Sequence, residues 1–233
     1  MSLFRSLVYA AIFYPLTVLW VLGGLIATLF GRGATLAVVL SWVELHHWLV
    51  RNILDIRVGV EGEVPAGPQL VAVKHQSMLE TLEMVRLLHL PIIVMKKELA
   101  DIPFFGFLTR RYGIIAVERS AGAKALRALV DEGRSAIASG RPVIIYPEGT
   151  RVRIGEMPPL KSGFAALYRA LGLPVVPVAV DSGRLWSRGL VHRSGTVTFK
   201  FGRPIPAGLS RRDVEAQVHA AINALELAPE TRP

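Results

Sequence analysis

The sequence predicts an α/β fold, in which a mixed, mostly parallel sheet is covered by helices and follows an N-terminal two-helix membrane anchor. From about residue 55, short apolar runs alternate with amphipathic stretches, which is typical of strands buried on both faces by helices. Before that point, the 24 residues Leu7–Phe30 contain no charged side chain. As a helix they would be about 36 Å long, against a hydrocarbon core of about 30 Å. These patterns divide the chain into a membrane-associating segment, residues 1–54, and one globular domain, residues 55–233.

The second helix of the membrane-associating segment is predicted over residues 34–54. It is apolar except for one stripe of polar side chains at helical spacing, formed by Glu44, His47 and Arg51. A helix with such a stripe favours the membrane interface or the underside of the protein over lipid on all sides. Gly31-Arg32-Gly33 is the predicted turn between the two helices. Because Pro15 weakens the first helix, a half-inserted hairpin is an alternative to a helix that spans the membrane completely.

The globular domain is predicted to alternate short buried strands with longer helices. The predicted strands are Ile56–Val60, Leu70–Val73, Ile92–Met95, Ile114–Val117, Val143–Tyr146 and Val175–Val180. The predicted helices are Leu79–Leu88, Ala121–Ala138 and Ser162–Leu171. Thr196–Phe201 alternates in facing and predicts a late strand, with antiparallel pairing as an option, and Asp213–Leu225 predicts a closing helix.

Composition narrows the classes of function. Hydrophobic residues make up 52% of the chain and charged residues 19%, which excludes a disordered protein. The absence of cysteine excludes a disulfide scaffold, a thiol nucleophile, a zinc ribbon and an iron–sulfur cluster. A net charge of +9 on an apolar chain favours an anionic membrane surface as partner and argues against nucleic acid. The histidines lack His-Glu-x-x-His spacing, so no metal site is predicted.

The segment VAVKHQSMLET, residues 71–81, holds the first candidate catalytic pair. His75 stands where a strand gives way to a helix, at the rim of an open α/β sheet. Glu80 follows five residues later, about 140° away on a continuous helix, so the two cooperate only if a turn separates them. The carboxylate would then orient an imidazole that acts as a general base. In the alternative interpretation, His75 caps a helix and Glu80 is a solvated surface residue.

The segment VIIYPEGTR, residues 143–151, is another buried strand that ends in a polar loop. Gly149 allows close approach of a ligand to the backbone, Thr150 supplies a hydroxyl, and Arg151 supplies a fork for phosphate. Glu148 is expected to build the site by pairing with a neighbouring cation, an arginine on this pattern, and not to act as an acid. The alternative is a β-turn with an incidental exposed arginine.

Two further segments add charge. A strand ending at residue 117 delivers the pair Glu118-Arg119. Residues 95–113 interleave Lys96-Lys97 with an apolar stretch, Ile102–Phe105. Basic and apolar groups mixed in this way suit a surface that lies against anionic lipid or admits an acyl chain.

Taken in chain order, four motifs that each follow or form a strand resemble those of the glycerolipid acyltransferases, specifically the bacterial 1-acyl-sn-glycerol-3-phosphate acyltransferases. They are His75 with Glu80, the pair Glu118-Arg119, the Glu-Gly-Thr-Arg of 148–151, and the Val-Pro-Val of Val176–Val178. The resemblance extends from about Val71 to Ala179, and the preceding two-helix region is similar to the membrane-associating segment of that family. It implies that His75 and Glu80 form the catalytic pair, with glutamate where aspartate is commoner. It also implies a substrate site that holds the acceptor's phosphate, formed by Arg119, Glu148, Gly149, Thr150, Arg151 and Lys161.

The implied activity is transfer of an acyl group from a thioester, acyl-CoA or acyl-acyl carrier protein, to the free hydroxyl of lysophosphatidic acid. His75 would remove the hydroxyl proton, Glu80 would fix its tautomer, and Arg151 with Arg119 would hold the phosphate. Because the chain has no cysteine, direct attack by the substrate oxygen is expected. No cofactor is expected beyond the thioester co-substrate, and backbone amides near the start of the helix after His75 are candidate oxyanion donors.

Two alternatives stay open at this point. The first is an acyltransferase with another lyso-lipid acceptor, such as a lyso-ornithine lipid. The second is a non-catalytic, membrane-attached lipid-binding protein in which His75 is structural. For the enzyme, substrate logic places the chain at a bacterial inner membrane with its active site on the cytoplasmic side, where activated acyl donors are found.

Overall fold

The computed structural model describes residues 1–117 and 122–226, with the backbone alone for 122–126. The described residues form one seven-stranded sheet of order β1-β7-β6-β2-β5-β3-β4. Its strands are β1 (Ile56–Glu61), β2 (Leu70–Val73), β3 (Ile92–Lys96), β4 (Ile115–Val117), β5 (Val143–Ile145), β6 (Val175–Val180) and β7 (Gly195–Phe201). Every neighbouring pair is parallel except β6 and β7, which are antiparallel. The predicted mixed, mostly parallel sheet is confirmed.

Helices precede the sheet and connect its strands. They are α1 (Ser2–Ala27), α2 (Arg32–Asn52), α3 (Leu79–Leu87), α4 (Lys97–Ala100), α5 (Phe105–Tyr112), α6 (Gly122–Ala138), α7 (Ser162–Leu171) and α8 (Arg211–Ile222). Two 3₁₀ turns lie at Thr28–Phe30 and Ser182–Arg184. The sequence did not predict α4 and α5, whose region it describes only as a mixed basic and apolar surface. The closing helix begins at residue 211 instead of 213 because Ser210 caps it by accepting a hydrogen bond from the Asp213 amide at 3.2 Å.

The sheet has an apolar core on each face. Along β2, Val71 and Val73 belong to one core, and Leu70 and Ala72 belong to the other, as the two-residue period of a strand requires. The first core also contains side chains of α1, α2 and α3. The second contains side chains of α6, α7 and α8. Both faces are therefore covered at the centre of the sheet, which explains why β2, β5 and β6 are continuous apolar runs.

The two N-terminal helices form part of the first core. Tyr9 and Phe13 of α1 and Leu49 of α2 are buried within it, while the opposite side of α1 exposes large apolar side chains. The α1 helix continues through Pro15 without a break. By length and hydropathy, residues 2–30 and 32–52 are each able to cross a membrane. One side of this helical pair thus packs on the globular domain, and the other side exposes apolar side chains.

The polar stripe predicted on α2 has a partner on α3. Nδ1 of His47 lies 3.0 Å from Oε1 of Glu83, which is fully buried, and Nε of Arg86 lies 3.0 Å from the other oxygen. Glu44 and Arg51 on the same stripe are exposed. One member of the stripe therefore faces the underside of the protein, as the sequence pattern allows.

The segment between β3 and β4 presents apolar and basic side chains together. Phe104 has a φ of 62° and is 66% exposed. Left-handed backbone is costly for a bulky residue, yet here it leaves the aromatic ring outside the core. Lys96 and the C-terminal arginines of α5, Arg110 and Arg111, are also exposed. These features agree with the mixed surface expected from the sequence.

Candidate active site

The candidate site lies at the carboxyl edge of the sheet. The strands β2, β5 and β6 are neighbours and parallel, with Ala72 paired to Ile145 and Val73 paired to Val178. Because these strands end at the same edge, the loops that follow them meet there. The three loops hold His75, the Glu-Gly-Thr-Arg segment 148–151, and the 3₁₀ turn that begins at Ser182.

Glu80 is fully buried in the first turn of α3, and its carboxylate accepts five hydrogen bonds. Oε1 accepts from Nδ1 of His75 at 2.9 Å and from the amides of Gln76 and Ser77 at 2.7 and 2.6 Å. Oε2 accepts from the hydroxyls of Ser77 and Ser182 at 2.6 and 2.7 Å. The turn required between His75 and Glu80 is therefore present, because the helix begins only at Leu79.

The charge of Glu80 follows from this environment. Burial alone would raise the pKa of the carboxyl, but the hydrogen bond and charge of His75, together with the Ser77 and Ser182 hydroxyls, hold the pKa below its usual range. The group is thus an anion at neutral pH. The alternative of a solvated surface glutamate is incompatible with a side chain that has no exposed surface.

His75 is held so that only one ring nitrogen is engaged by the carboxylate. Since an ionised carboxylate only accepts, Nδ1 carries the proton and Nε2 is left with a lone pair. The ring packs against Tyr146, with 4.2 Å between ring centroids, and the side chain is 16% exposed. A neutral imidazole with a free Nε2, partly open to solvent and backed by an anion, has the chemistry of a general base.

The main-chain amide and carbonyl of His75 form hydrogen bonds to residues at the start and just past the end of the Glu-Gly-Thr-Arg loop. Its amide donates to Oε2 of Glu148 at 2.9 Å, and its carbonyl accepts from the amide of Val152 at 2.8 Å. These two bonds fix the loop of residues 148–151 directly beside the imidazole. Loops held by main-chain bonds position side chains more exactly than free loops.

Lys74 is the unexpected member of the site. It is fully buried, and its three ammonium donors reach Oε1 of Glu148 at 2.7 Å, Oδ1 of Asn223 at 2.7 Å and the carbonyl of Glu156 at 2.8 Å. All three donors of the lysine are satisfied. Glu148 therefore builds the site by pairing, as expected, but its partner is Lys74 and not an arginine.

The remaining residues of the Glu-Gly-Thr-Arg loop face outward. Gly149 has a φ of 72°, a conformation that glycine adopts without cost, and its amide donates to the Tyr146 carbonyl at 2.9 Å. Thr150 and Arg151 are exposed. Lys161, the residue before α7, is also exposed, and its amide donates to the Pro147 carbonyl at 2.8 Å. Predicted residues Glu118 and Arg119 lie outside the described residues.

A cavity of about 150 Å³ adjoins the His75 loop. Arg151 and the residues that follow His75, Gln76–Met78, line one side of it. The rest of the lining comes from α1, from residues 186–190 and from His192. His75 itself is not among the lining residues, although its main chain is bonded to the residue next to Arg151. Within residues 1–117 and 122–226, no group of three or more metal-binding side chains occurs.

Sequence reasoning missed two contributors to the site. Ser182 follows the Val-Pro-Val strand, and the rule that polar residues after parallel strands meet at one edge would have indicated it. Lys74 gave no such signal, because a lysine at a strand end is usually solvated. The amides of Gln76 and Ser77, which were candidate oxyanion donors, are already occupied by Glu80.

Comparison with known proteins identifies the family. The sequence model of the Acyltransferase family matches residues 55–181. A 1-acyl-sn-glycerol-3-phosphate acyltransferase of Pseudomonas aeruginosa is 31% identical over 82% of this chain and 78% of its own length. The human 1-acyl-sn-glycerol-3-phosphate acyltransferase beta is 29% identical over 69% of this chain and 59% of its own length.

One solved structure has the same fold. The crystal structure of the 1-acyl-sn-glycerophosphate acyltransferase PlsC from Thermotoga maritima superposes with a TM-score of 0.77 at 21% sequence identity, covering 98% of this chain and 99% of that one. This similarity extends over the N-terminal helices as well as the sheet, because nearly the whole of both chains is covered. On the family match and the Pseudomonas relative, this chain belongs to the 1-acyl-sn-glycerol-3-phosphate acyltransferase family.

Proposed function

We propose that this membrane-associated enzyme transfers an acyl group from acyl-CoA or acyl-acyl carrier protein to the free hydroxyl of lysophosphatidic acid, producing phosphatidic acid. The names of the relatives support the reaction. The observation that supports the chemistry is the buried, fully hydrogen-bonded Glu80 at 2.9 Å from Nδ1 of His75. An acyl transfer to an alcohol needs a general base beside the hydroxyl, and this pair supplies an imidazole that a carboxylate orients.

In the proposed mechanism, Nε2 of His75 takes the proton of the acceptor hydroxyl as the oxygen attacks the thioester carbonyl. The new carbon–oxygen ester bond forms, the carbon–sulfur bond breaks, and the proton passes from the imidazolium to the departing thiolate. Glu80 keeps the imidazole in the Nδ1–H tautomer and stabilises the imidazolium. General-base action of this kind contributes about 10²- to 10⁴-fold to the rate.

Direct attack by the substrate oxygen is favoured over an acyl-enzyme. The chain has no cysteine. Ser77, the hydroxyl nearest to His75 in sequence, donates its proton to Oε2 of Glu80 at 2.6 Å and accepts from the Leu79 amide at 3.1 Å. A hydroxyl held in this way is a structural member of the Glu80 cluster and is a poor nucleophile.

The phosphate of the acceptor is proposed to bind to the outward-facing loop residues, Thr150 and Arg151, with Lys161 and Arg119 contributing charge. Support comes from two hydrogen bonds of the His75 main chain, one to the Glu148 carboxylate and one from the Val152 amide, which hold this loop beside the base. Gly149 permits the turn and Glu148 anchors it. Holding the phosphate positions the hydroxyl, and positioning contributes as much to rate as the base itself.

The proposed location is a bacterial inner membrane, with the active site at the cytoplasmic side where acyl thioesters are available. The apolar outer face of α1 supports membrane attachment. In this arrangement residues 1–54 are the attachment segment and residues 55–233 the catalytic domain.

The test is acylation by purified protein in detergent, with a labelled acyl thioester and a panel of acceptors including lysophosphatidate and lyso-ornithine lipid. We expect phosphatidic acid as the main product, and loss of turnover in His75→Ala. The matched control is His89→Asn, an exposed histidine in left-handed backbone that asparagine tolerates. A folded His75→Ala enzyme with near wild-type turnover would reject the base, and a preference for lyso-ornithine lipid would reject the acceptor.

A further inference from the structure

The cavity beside the His75 loop has two arginines among its lining residues. Arg151 and Arg188 both contribute to its wall. Nη2 of Arg188 donates to the main-chain carbonyl of Arg151 at 2.7 Å, which fixes the second arginine alongside the first. That bond uses one of the five N–H donors of Arg188, so most of the fork remains for a ligand.

Neither arginine is neutralised by a carboxylate within the described part of the chain. The ion pairs found there involve other cations. Two uncompensated positive charges on one small cavity repel each other, and this cost is offset when an anion binds between them. A phosphomonoester carries between one and two negative charges near neutral pH and matches the forked geometry of arginine.

Another part of the lining indicates what else the ligand contains. It comes from the N-terminal half of α1, including Ser6, Tyr9 and Tyr14, and α1 is the helix whose outer face is apolar. Trp186 stacks on His192 at 4.1 Å and meets Tyr9 edge-on at 5.6 Å, so this wall is braced by aromatic contacts. The cavity, of about 150 Å³, is large enough to hold several water molecules and so has room for a small polar headgroup.

We propose that Arg188 is a second phosphate-binding residue and that the cavity between α1, Arg151 and Arg188 is the headgroup site of a single-chain phosphomonoester lipid. The site selects the phosphomonoester by its two cations, and the lipid chain leaves along α1. This inference rests on the proposed function for the identity of the lipid, and it adds a residue outside the four motifs that carry the family resemblance.

The experiment compares Arg188→Ala and Arg188→Lys with Arg184→Ala, an exposed arginine of the same segment that does not line the cavity. Steady-state acylation is measured with lysophosphatidate and with its phosphate methyl ester, a diester of lower charge. We expect Arg188→Ala to raise the KM for lysophosphatidate about tenfold, with the KM for the thioester unchanged. The KM of Arg188→Lys for lysophosphatidate should lie between those of wild type and Arg188→Ala, and the KM of Arg184→Ala should equal that of wild type. The preference for the monoester over the methyl ester should decrease only in the Arg188 variants.

A binding measurement separates this inference from the proposed reaction. Equilibrium binding of lysophosphatidate is measured in the His75→Ala background, with and without Arg188→Ala, so that no turnover intervenes. Acylation by wild type with no effect of Arg188→Ala on KM or on binding would overturn the headgroup site and leave the function standing. Weaker binding in the Arg188→Ala protein, with no acylation by wild type, would support the site and reject the reaction.

Discussion

Replacing Glu80 by glutamine removes a charge from the candidate site while preserving its hydrogen bonds. The amide oxygen of glutamine, in the place of Oε1, still accepts from His75 and from the two amides of residues 76 and 77. The amide nitrogen, in the place of Oε2, donates to the hydroxyls of Ser77 and Ser182, which rotate to accept. The Nδ1–H tautomer of His75 is retained, so the substitution isolates the effect of the charge.

The magnitude follows from the distance between the two groups. A unit charge about 4 Å from another is worth about 4 kcal/mol at an effective dielectric constant of about 20. At about 1.4 kcal/mol for each factor of ten, losing the anion beside the imidazolium lowers turnover by up to about 10³-fold. Because His75 is 16% exposed and solvent screens part of the charge, we expect a fall in kcat of about 10²- to 10³-fold.

The assay is single-turnover acylation of lysophosphatidate in detergent, which reports the chemical step. Far-UV circular dichroism and thermal unfolding show whether the Glu80→Gln protein keeps its fold. Glu80→Asp is the companion variant, since it keeps the charge and shortens the side chain. A folded Glu80→Gln enzyme whose single-turnover rate stays within about threefold of wild type would refute the reasoning, because the electrostatic argument requires a much larger loss.

Arg151→Ala should raise the KM for lysophosphatidate about tenfold or more, and the KM of Arg151→Lys should be intermediate. Steady-state kinetics measures this, and unchanged kinetic constants would contradict the phosphate role. Lys74→Met should lower the free energy of unfolding by about 3–5 kcal/mol, because Glu148 is left buried without a counter-charge; chemical denaturation measures this, and Glu148→Gln in the same protein should restore part of the loss. Because the folded-state pKa of Glu80 lies below its ordinary value of 4.5, its stabilisation is present above that pH and is lost as the pH falls through the folded-state pKa. Thermal unfolding from about pH 3 to pH 7 should therefore show that wild type loses more stability than Glu80→Gln as the pH falls. Equal losses of stability in the two proteins would contradict this. Deletion of residues 1–54 should leave the domain unfolded or aggregated, because one sheet core is shared with α1 and α2, and a cooperative unfolding transition in the truncated protein would show otherwise.

The centre of the sheet could be predicted from the sequence because its strands are buried on both faces. Runs such as Leu70–Val73 and Val175–Val180 are apolar throughout, and the structure has both with the predicted bounds. The helix α5 could not be predicted in the same way. Its eight residues include Gly106, and its apolar side chains become a buried face only against the distant helices α1 and α2, where Leu108 lies beside Gly24. That contact joins residues 84 positions apart, by the difference of their numbers.

The candidate site was predictable where its residues are close in sequence. His75 and Glu80 lie in one loop and the helix after it, so strand-end position and spacing were sufficient to single them out. Lys74 could not be recognised as buried, since two of its partners, Glu148 and Asn223, are 74 and 149 residues away. The sequence pattern reveals contacts between residues that are close in the chain, whereas the burial of this ion pair depends on contacts with residues that are distant in the chain.

One turn of α3 contains two buried carboxylates with different tasks. Glu80 holds the imidazole of His75, and Glu83 holds His47 of α2. An insertion or deletion of one residue between them would rotate the second carboxylate by about 100° around the helix axis. The enzyme would then lose either the acid that orients its base or the bond that fastens this helix to the N-terminal pair. The three-residue spacing between Glu80 and Glu83 is therefore constrained twice. It sets both the orientation of the base and the attachment of α3 to the N-terminal helices.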